Sequence, residues 1–153
     1  MSCPDLSEVV LPEGVTRVRE RAFSGCGSLV SVTLSNKVTC IYEGAFSGCS
    51  ALPEITLPGK LSVIQAEAFS GCGSLTAVTI PKIVSGIGEC AFRRCTLLKE
   101  VTVTGRKTQI GRQAFGFDLS DEPVPGFTIR GPEGNEAERY AAENGITFLP
   151  LEA

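Results

Sequence analysis

Hydrophobic and polar positions along this chain return on a fixed period. Ala22-Phe23, Ala45-Phe46, Ala68-Phe69, Ala91-Phe92 and Ala114-Phe115 are each 23 residues apart. A cysteine column keeps the same register at Cys26, Cys49, Cys72 and Cys95, with Cys3 one period earlier. Further apolar columns run through Leu6, Leu29, Leu52, Leu75 and Leu98; Val9, Val32, Ile55, Val78 and Val101; and Leu11, Leu34, Leu57, Ile80 and Val103. Beyond a turn come Val15, Val38, Leu61 and Val84, then Val18, Ile41, Ile64, Ile87 and Ile110. A register held over this many copies identifies a repeat array. No unit can bury its apolar face alone, so stacked neighbours must share one continuous core.

Within a unit, Val32-Thr33-Leu34 and its equivalents alternate apolar and polar with β-branched residues, which predicts a short half-buried strand. Pro12, Pro58 and Pro81 follow directly and stop it. The stretch Glu43-Gly44-Ala45-Phe46-Ser47-Gly48-Cys49 is too short and glycine-rich for a stable helix. A single helical or 3₁₀ turn is expected there, with Phe plugging each coil. The fold class is therefore an α/β repeat solenoid: a parallel sheet of short strands on one side and short helical or 3₁₀ turns opposite.

The two ends depart from the period. At the start the chain enters at Cys3-Pro4-Asp5-Leu6, part-way through a repeat. An open strand edge there predicts either a preceding segment or self-association through that end. At the other end Asp118 stands where the next cysteine belongs. An inserted polar loop, Asp118-Leu119-Ser120-Asp121-Glu122-Pro123-Val124-Pro125-Gly126, delays the successor of Val103 by three residues, to Ile129. Asn135, three residues before Glu138, fits a helix N-cap with its capping-box partner. Ala137, Tyr140 and Ala141 form an apolar stripe, and Gly145 sits where a C-cap glycine belongs. A short helix followed by Ile146-Thr147-Phe148-Leu149 then closes the array. The expected division is a repeat array over 1–130 and a C-terminal cap over 131–153.

Composition narrows the function. The 153 residues suit one domain, and 42% hydrophobic content supports a folded core. A net charge of −3, with no basic block, argues against nucleic acid as a partner. No apolar run approaches the roughly 18 residues that span a bilayer. Met1-Ser2-Cys3-Pro4-Asp5 does not begin a signal peptide, so the chain is expected to be cytosolic or a piece of a longer exported protein. Of the seven cysteines, five belong to the ladder. Equivalent Cβ atoms in adjacent coils would lie ~5 Å apart, against the ~3.8 Å of a disulfide. A buried thiol ladder is the better reading.

The chain has no histidine, which removes Ser-His-Asp triads, Cys-His pairs and His-containing zinc sites. A linear cysteine ladder cannot converge on a zinc tetrahedron, and Gly86-Ile87-Gly88 lacks the rest of a phosphate loop. No enzyme activity, metal or cofactor is expected. What remains is the outward sheet face: Val10, Thr33, Thr56, Thr79, Thr102 and Thr128, beside Glu8, Ser31, Glu54, Ala77 and Glu100. Hydroxyl pairing and β-propensity account for such a column; a weakly polar, mildly acidic platform for a partner is the functional alternative. Arg93 and Arg94 form a local basic spot elsewhere.

The pattern Leu-x-x-Val-Thr-Leu-Pro-x-x-Val-x-x-Ile-x-x-x-Ala-Phe-x-x-Cys resembles the BspA-like leucine-rich repeats, from Cys3 to about Ile129. The stretch from Gly131 to Ile146 resembles the segment that often follows such arrays in bacterial proteins. Departures are Lys107 in an apolar column and Arg93-Arg94 in place of Ser-Gly. The resemblance implies a right-handed leucine-rich-repeat superhelix and a surface or secreted bacterial protein, several of whose relatives adhere to host proteins or other microbes. The expectation is a non-catalytic module binding a host or microbial surface protein, or a glycan, through Thr33, Thr56, Thr79, Thr102, Glu54 and Glu100. A structural spacer or stacking unit is the alternative, and an intracellular interaction scaffold a third.

Overall fold

The structure is a computed structural model that describes residues 3, 5–118 and 120–151. Met1, Ser2 and Pro4 of the start, and Leu119 of the inserted loop, lie outside the described residues. The chain winds into stacked coils, the first five beginning at Leu6, Leu29, Leu52, Leu75 and Leu98. A sixth begins at Phe127.

Two ladders of parallel strands run along the stack. The first comes from the Val-Thr-Leu segments: β1 (Glu8–Val10), β3 (Ser31–Thr33), β6 (Ala77–Ile80), β8 (Glu100–Val103) and β10 (Thr128–Gly131). The second consists of two-residue strands after the turn: β2 (Arg17–Val18), β4 (Cys40–Ile41), β5 (Val63–Ile64), β7 (Gly86–Ile87) and β9 (Gln109–Ile110). Every named pair is parallel and joins residues one coil apart, such as Val9 with Val32 and Ile64 with Ile87. This is the predicted solenoid, with the second ladder added to the sheet that was expected.

The second ladder is continuous over five strands, whereas the first is in two pieces, β1–β3 and β6–β8–β10. The gap falls on the third coil, where Glu54–Leu57 form no strand. A proline accounts for its side towards the second coil. In the second and fifth coils the residue before the strand donates to the coil behind it, Val30 N–H to Ser7 at 2.9 Å and Lys99 N–H to Thr76 at 3.0 Å. Pro53 holds that place in the third coil and has no N–H to give.

The second ladder is reinforced by hydroxyls. The Thr39, Ser62 and Ser85 amides bond the Thr16, Thr39 and Ser62 carbonyls of the coil behind. Their side-chain hydroxyls donate to the same three oxygens at 3.3, 2.9 and 3.2 Å. Thr108 extends the series by donating to the Val84 carbonyl at 2.7 Å.

Opposite the first ladder the chain makes 3₁₀-type turns rather than a helix. In the second coil Ala45, Ser47 and Cys49 donate within the coil, to residues three back. Gly44, Phe46 and Gly48 donate instead to Ala66, Ala68 and Ser70 of the next coil. Sending alternate amides outward prevents consecutive helical bonds from building, and it zips coil to coil. The geometry requires positive φ at two places per coil. Gly25, Gly48 and Gly71 occupy one of them at 75–78°, and Arg94 takes the same conformation at 65° in the fourth coil.

The interior is columnar. Phe23, Phe46, Phe69 and Phe92 stack with ring centroids 5.3, 5.3 and 4.9 Å apart, and Phe115 follows at 5.4 Å. All seven cysteines are free thiols. Those of Cys49, Cys72 and Cys95 are buried and donate to the Phe23, Phe46 and Phe69 carbonyls, each at 3.2 Å. The thiol therefore fills space and satisfies a buried carbonyl. Burial pushes Cys49 and Cys95 up to about 12, and Cys72 well above the ordinary thiol range.

The C-terminal end corrects the expected register. Thr128 pairs with Glu100, Ile129 with Val101 and Arg130 with Thr102, a spacing of 28 residues rather than 26. The insertion is thus five residues, not three, and Arg130, not Thr128, continues the threonine column. Arg93 Nε donates to Asp121 at 2.7 Å, pinning the inserted loop to the fourth coil. The bond raises the Arg93 pKa and lowers that of Asp121. Arg93 is thus committed to the fold, and the basic spot reduces to the exposed Arg94.

Helix α1 (Glu136–Glu143) starts as predicted, with Asn135 Oδ1 accepting from Glu138 N–H at 2.9 Å. Glu138 reaches back to Gly134 N–H instead of the cap's own amide. The buried Asn135 amide also donates to the Val103 and Gly105 carbonyls, tying the helix to the fifth coil. Gly145 has φ 67° beyond the helix end, as a C-terminal glycine should. The final strand β11 (Thr147–Pro150) adds in parallel to β10.

Tyr140 ends the phenylalanine stack. Its ring meets Phe115 edge-on, 5.9 Å between centroids. Elsewhere each Phe amide donates to the alanine carbonyl of the next coil, as Phe92 does to Ala114. Phe115 has no such coil ahead, and its amide donates to the Tyr140 hydroxyl at 3.1 Å while that hydroxyl donates to the Phe115 carbonyl at 2.7 Å. One phenol replaces a missing repeat.

Candidate functional site

The first ladder presents the predicted face, since alternate strand residues point outward. Thr33, Thr56 and Thr79 are exposed and Thr102 half-buried; Glu54 is exposed and Glu100 half-buried. The register places Val10 beside Thr33 and Thr79 beside Thr102, so the column is real at both ends of the ladder. Between them the third coil interrupts it.

That interruption shapes the site. A cleft of about 370 Å³ opens along the third and fourth coils, lined by Glu54, Ile55, Thr56, Leu57, Ala77, Val78, Thr79 and Pro81. Three of the six predicted residues, Glu54, Thr56 and Thr79, lie on it. Among the described residues, Glu54–Leu57 make no backbone hydrogen bond to either neighbouring coil. Main-chain amides and carbonyls are obligatory bonding groups, so this segment is the least firmly held part of the ladder.

The other predicted residues are not equivalent. Glu100 accepts from Arg130 Nε at 2.8 Å, with both side chains about 40% exposed. Its charge is shared with a cation that the three-residue slip would have placed opposite Thr104, two residues further along the strand. Glu54 has no ion pair among the described residues. Thr33 and Thr102 flank the cleft without lining it. Sequence reasoning missed the cleft itself, although Pro53 in a strand-entry position was its signal.

A second groove, about 600 Å³, lies along the other ladder and is lined by Val63, Ile64, Ile87 and Ile110 with Gly86, Gly88 and Gly111. A Cβ on Gly88 would come 2.3 Å from the Ala66 amide nitrogen, and one on Gly111 2.6 Å from that of Glu89. Close coil stacking therefore requires both glycines, which accounts for the shallow floor without a ligand. Among the described residues, no group of three His, Cys, Asp or Glu side chains is placed to hold a metal ion. No described helix is long and apolar enough to cross a membrane.

Comparison with known proteins agrees with this architecture. A leucine-rich repeat protein from T. pallidum, solved by crystallography, superposes with a TM-score of 0.64 at 26% identity, over 93% of this chain and 72% of that one. The pneumococcal vaccine antigen PcpA superposes with a TM-score of 0.72 at 16% identity, over 96% of this chain and 42% of that one, and shares the fold. No curated protein sequence matches this one. The pattern described as the BspA type leucine rich repeat region matches residues 1–119 in six copies. The chain therefore belongs to the BspA-type leucine-rich repeat family.

Proposed function

We propose that this chain is a non-catalytic interaction module that captures an extended segment of a partner protein on the face of its first ladder. The observation that carries this reading is the cleft of the third and fourth coils. It combines unbonded main chain at Glu54–Leu57 with a row of hydroxyls and one free carboxylate. An extended peptide can lie along this cleft, where Thr56, Thr79 and Glu54 read its side chains. The mild acidity of Glu54 favours a basic or neutral segment.

Display on a bacterial surface, as part of a longer protein, fits the family and a structural neighbour that is a vaccine antigen. The test is interferometry against a panel of extracellular proteins with wild type and the double variant Thr56→Lys/Thr79→Lys. Both positions are exposed, so the array should remain folded. Binding by the wild type that drops at least tenfold in the variant is the expected result. Equal affinity for both proteins would remove the cleft from the mechanism.

A spacer role is the second reading, favoured by the uninterrupted second ladder and ring stack, which make a stiff rod. Protease shaving of intact cells, with mass spectrometry of the released peptides, bears on both readings. Release from a larger surface protein supports display, and recovery from the cytosol alone rejects it.

A further inference from the structure

The turns that follow the first ladder form one edge of the stack, and their charges are sorted. The second coil contributes Lys37, the third Lys60, the fourth Lys82, and the fifth Arg106 with Lys107. All five are exposed. No acidic residue occurs in the turns 35–37, 58–60, 81–83 or 104–107; the acids of this edge are Glu13 in the first coil and Glu133 in the sixth. Among the described residues none of the five forms an ion pair. Arg106 donates only to the Glu133 backbone carbonyl, at 3.4 Å, which leaves its charge uncompensated.

This arrangement is unexpected for a chain of net charge −3. Lys107 shows how firmly it is held. Its equivalents Val38, Leu61 and Val84 are buried, yet Lys107 points to solvent while the adjacent Thr108 fills the interior and bonds Val84. The edge thereby gains a cation at the expense of an apolar contact.

The spacing selects the partner. Adjacent coils repeat at the interval of the ring stack, 4.9–5.4 Å, so four coils carry the cations over roughly 15 Å at about one per 5 Å. An extended polypeptide brings same-side carboxylates only every ~6.6 Å and drifts out of step. Single-stranded nucleic acid would call for aromatic platforms, and these turns contain none. A linear polysaccharide with an anionic group on each sugar is close to one sugar per coil. We propose that this edge binds an acidic polysaccharide, sulfated or uronate-bearing, bracketed by Glu13 and Glu133. The edge adjoins the first-ladder cleft at Pro81, and its cations do not line that cleft, so it is tested independently of it.

The experiment measures binding of the whole chain to immobilised dextran sulfate, polygalacturonate, neutral dextran and poly-glutamate at two salt concentrations. Wild type is compared with Lys37→Gln/Lys60→Gln/Lys82→Gln/Arg106→Gln. A charge-matched control, Arg17→Gln/Arg94→Gln/Lys99→Gln/Arg112→Gln, changes exposed cations elsewhere. The expected result is salt-sensitive binding to one or both acidic polysaccharides, none to dextran, and a loss of at least tenfold in the edge variant alone. The sulfate and uronate arms identify the anionic group. Should the quadruple variant not fold, single Lys60→Gln and Lys82→Gln variants provide the same comparison. Equal loss in the control, no binding by wild type, or tighter binding to poly-glutamate would each overturn the proposal.

Discussion

The two ladders are built by the same repeats and differ in continuity. The two-residue strands join all five coils, while the longer Val-Thr-Leu strands stop at the third. Strand length therefore does not decide which ladder holds. The short strands have an amide and a hydroxyl from Thr39, Ser62 and Ser85 converging on each carbonyl behind. The longer strands gain such doubling only towards the C-terminal end, where the Thr104 and Thr128 hydroxyls join their amides on the Ile80 and Lys99 carbonyls, and no hydroxyl does so at the third coil. Doubling the bonds makes a wall, and leaving them single makes a face that can open.

Four variants or conditions test that contrast. The largest effect is expected from Phe69→Ala, which removes the centre of the stack on which both ladders rest. A loss of about 3–5 kcal/mol is expected, and calorimetry should show both ladders failing together. If the wall survived on its own, the shared interior would not be what couples them.

Alkali attacks the same interior by titration. Cys49, Cys95 and Tyr140 are raised to about 12 by burial, above the ordinary 9.0 of a thiol and 10.0 of a phenol. The native state then keeps protons that the unfolded chain has released. Stability is complete below pH 9 and falls as pH rises towards 12, by about 1.4 kcal/mol per pH unit for each fully buried group. Denaturant midpoints between pH 8 and 11 measure this, and a flat profile would refute the buried thiol ladder.

A smaller effect belongs to the cap. Tyr140→Phe keeps the edge-on ring but strands the Phe115 amide and carbonyl, for an expected cost of about 1–3 kcal/mol. Faster amide exchange should be concentrated in the last coils, leaving the first ones as they were. The smallest effect has the opposite sign. Pro53→Thr restores the missing donor, and joining the two ladder pieces should add about 1 kcal/mol. Amide exchange at Ile55–Leu57 should slow, and binding at the cleft should weaken. Unchanged exchange would show that something other than proline keeps the coil apart.

The sequence displayed the core almost completely, because the columns of Leu, Val, Ile, Ala, Phe and Cys report burial directly through their period. Much of the cap was equally visible, from Asn135 to Gly145. Other features were present in the letters but silent in their roles. Thr16, Thr39, Ser62, Ser85 and Thr108 recur on the same 23-residue interval, yet a hydroxyl facing solvent and one facing a carbonyl read alike. The slip at the inserted loop was misjudged because Thr-Ile mimics the Val-Thr-Val of the fifth strand two residues off. Only pairing with Glu100 and Val101 resolves it. Half of the predicted site lies on the cleft, and Pro53, at the entry to the unpaired segment, played no part in the sequence reading.

The way Tyr140 closes the stack bears on how such proteins change length in evolution. The phenol bonds the peptide group of the last phenylalanine and meets its ring, and every coil presents that same pair of groups. A whole unit upstream of the fourth coil can therefore be duplicated or deleted by recombination with the contacts of the terminator left in place. Reach becomes adjustable in steps of about 5 Å, while the closing device is inherited intact.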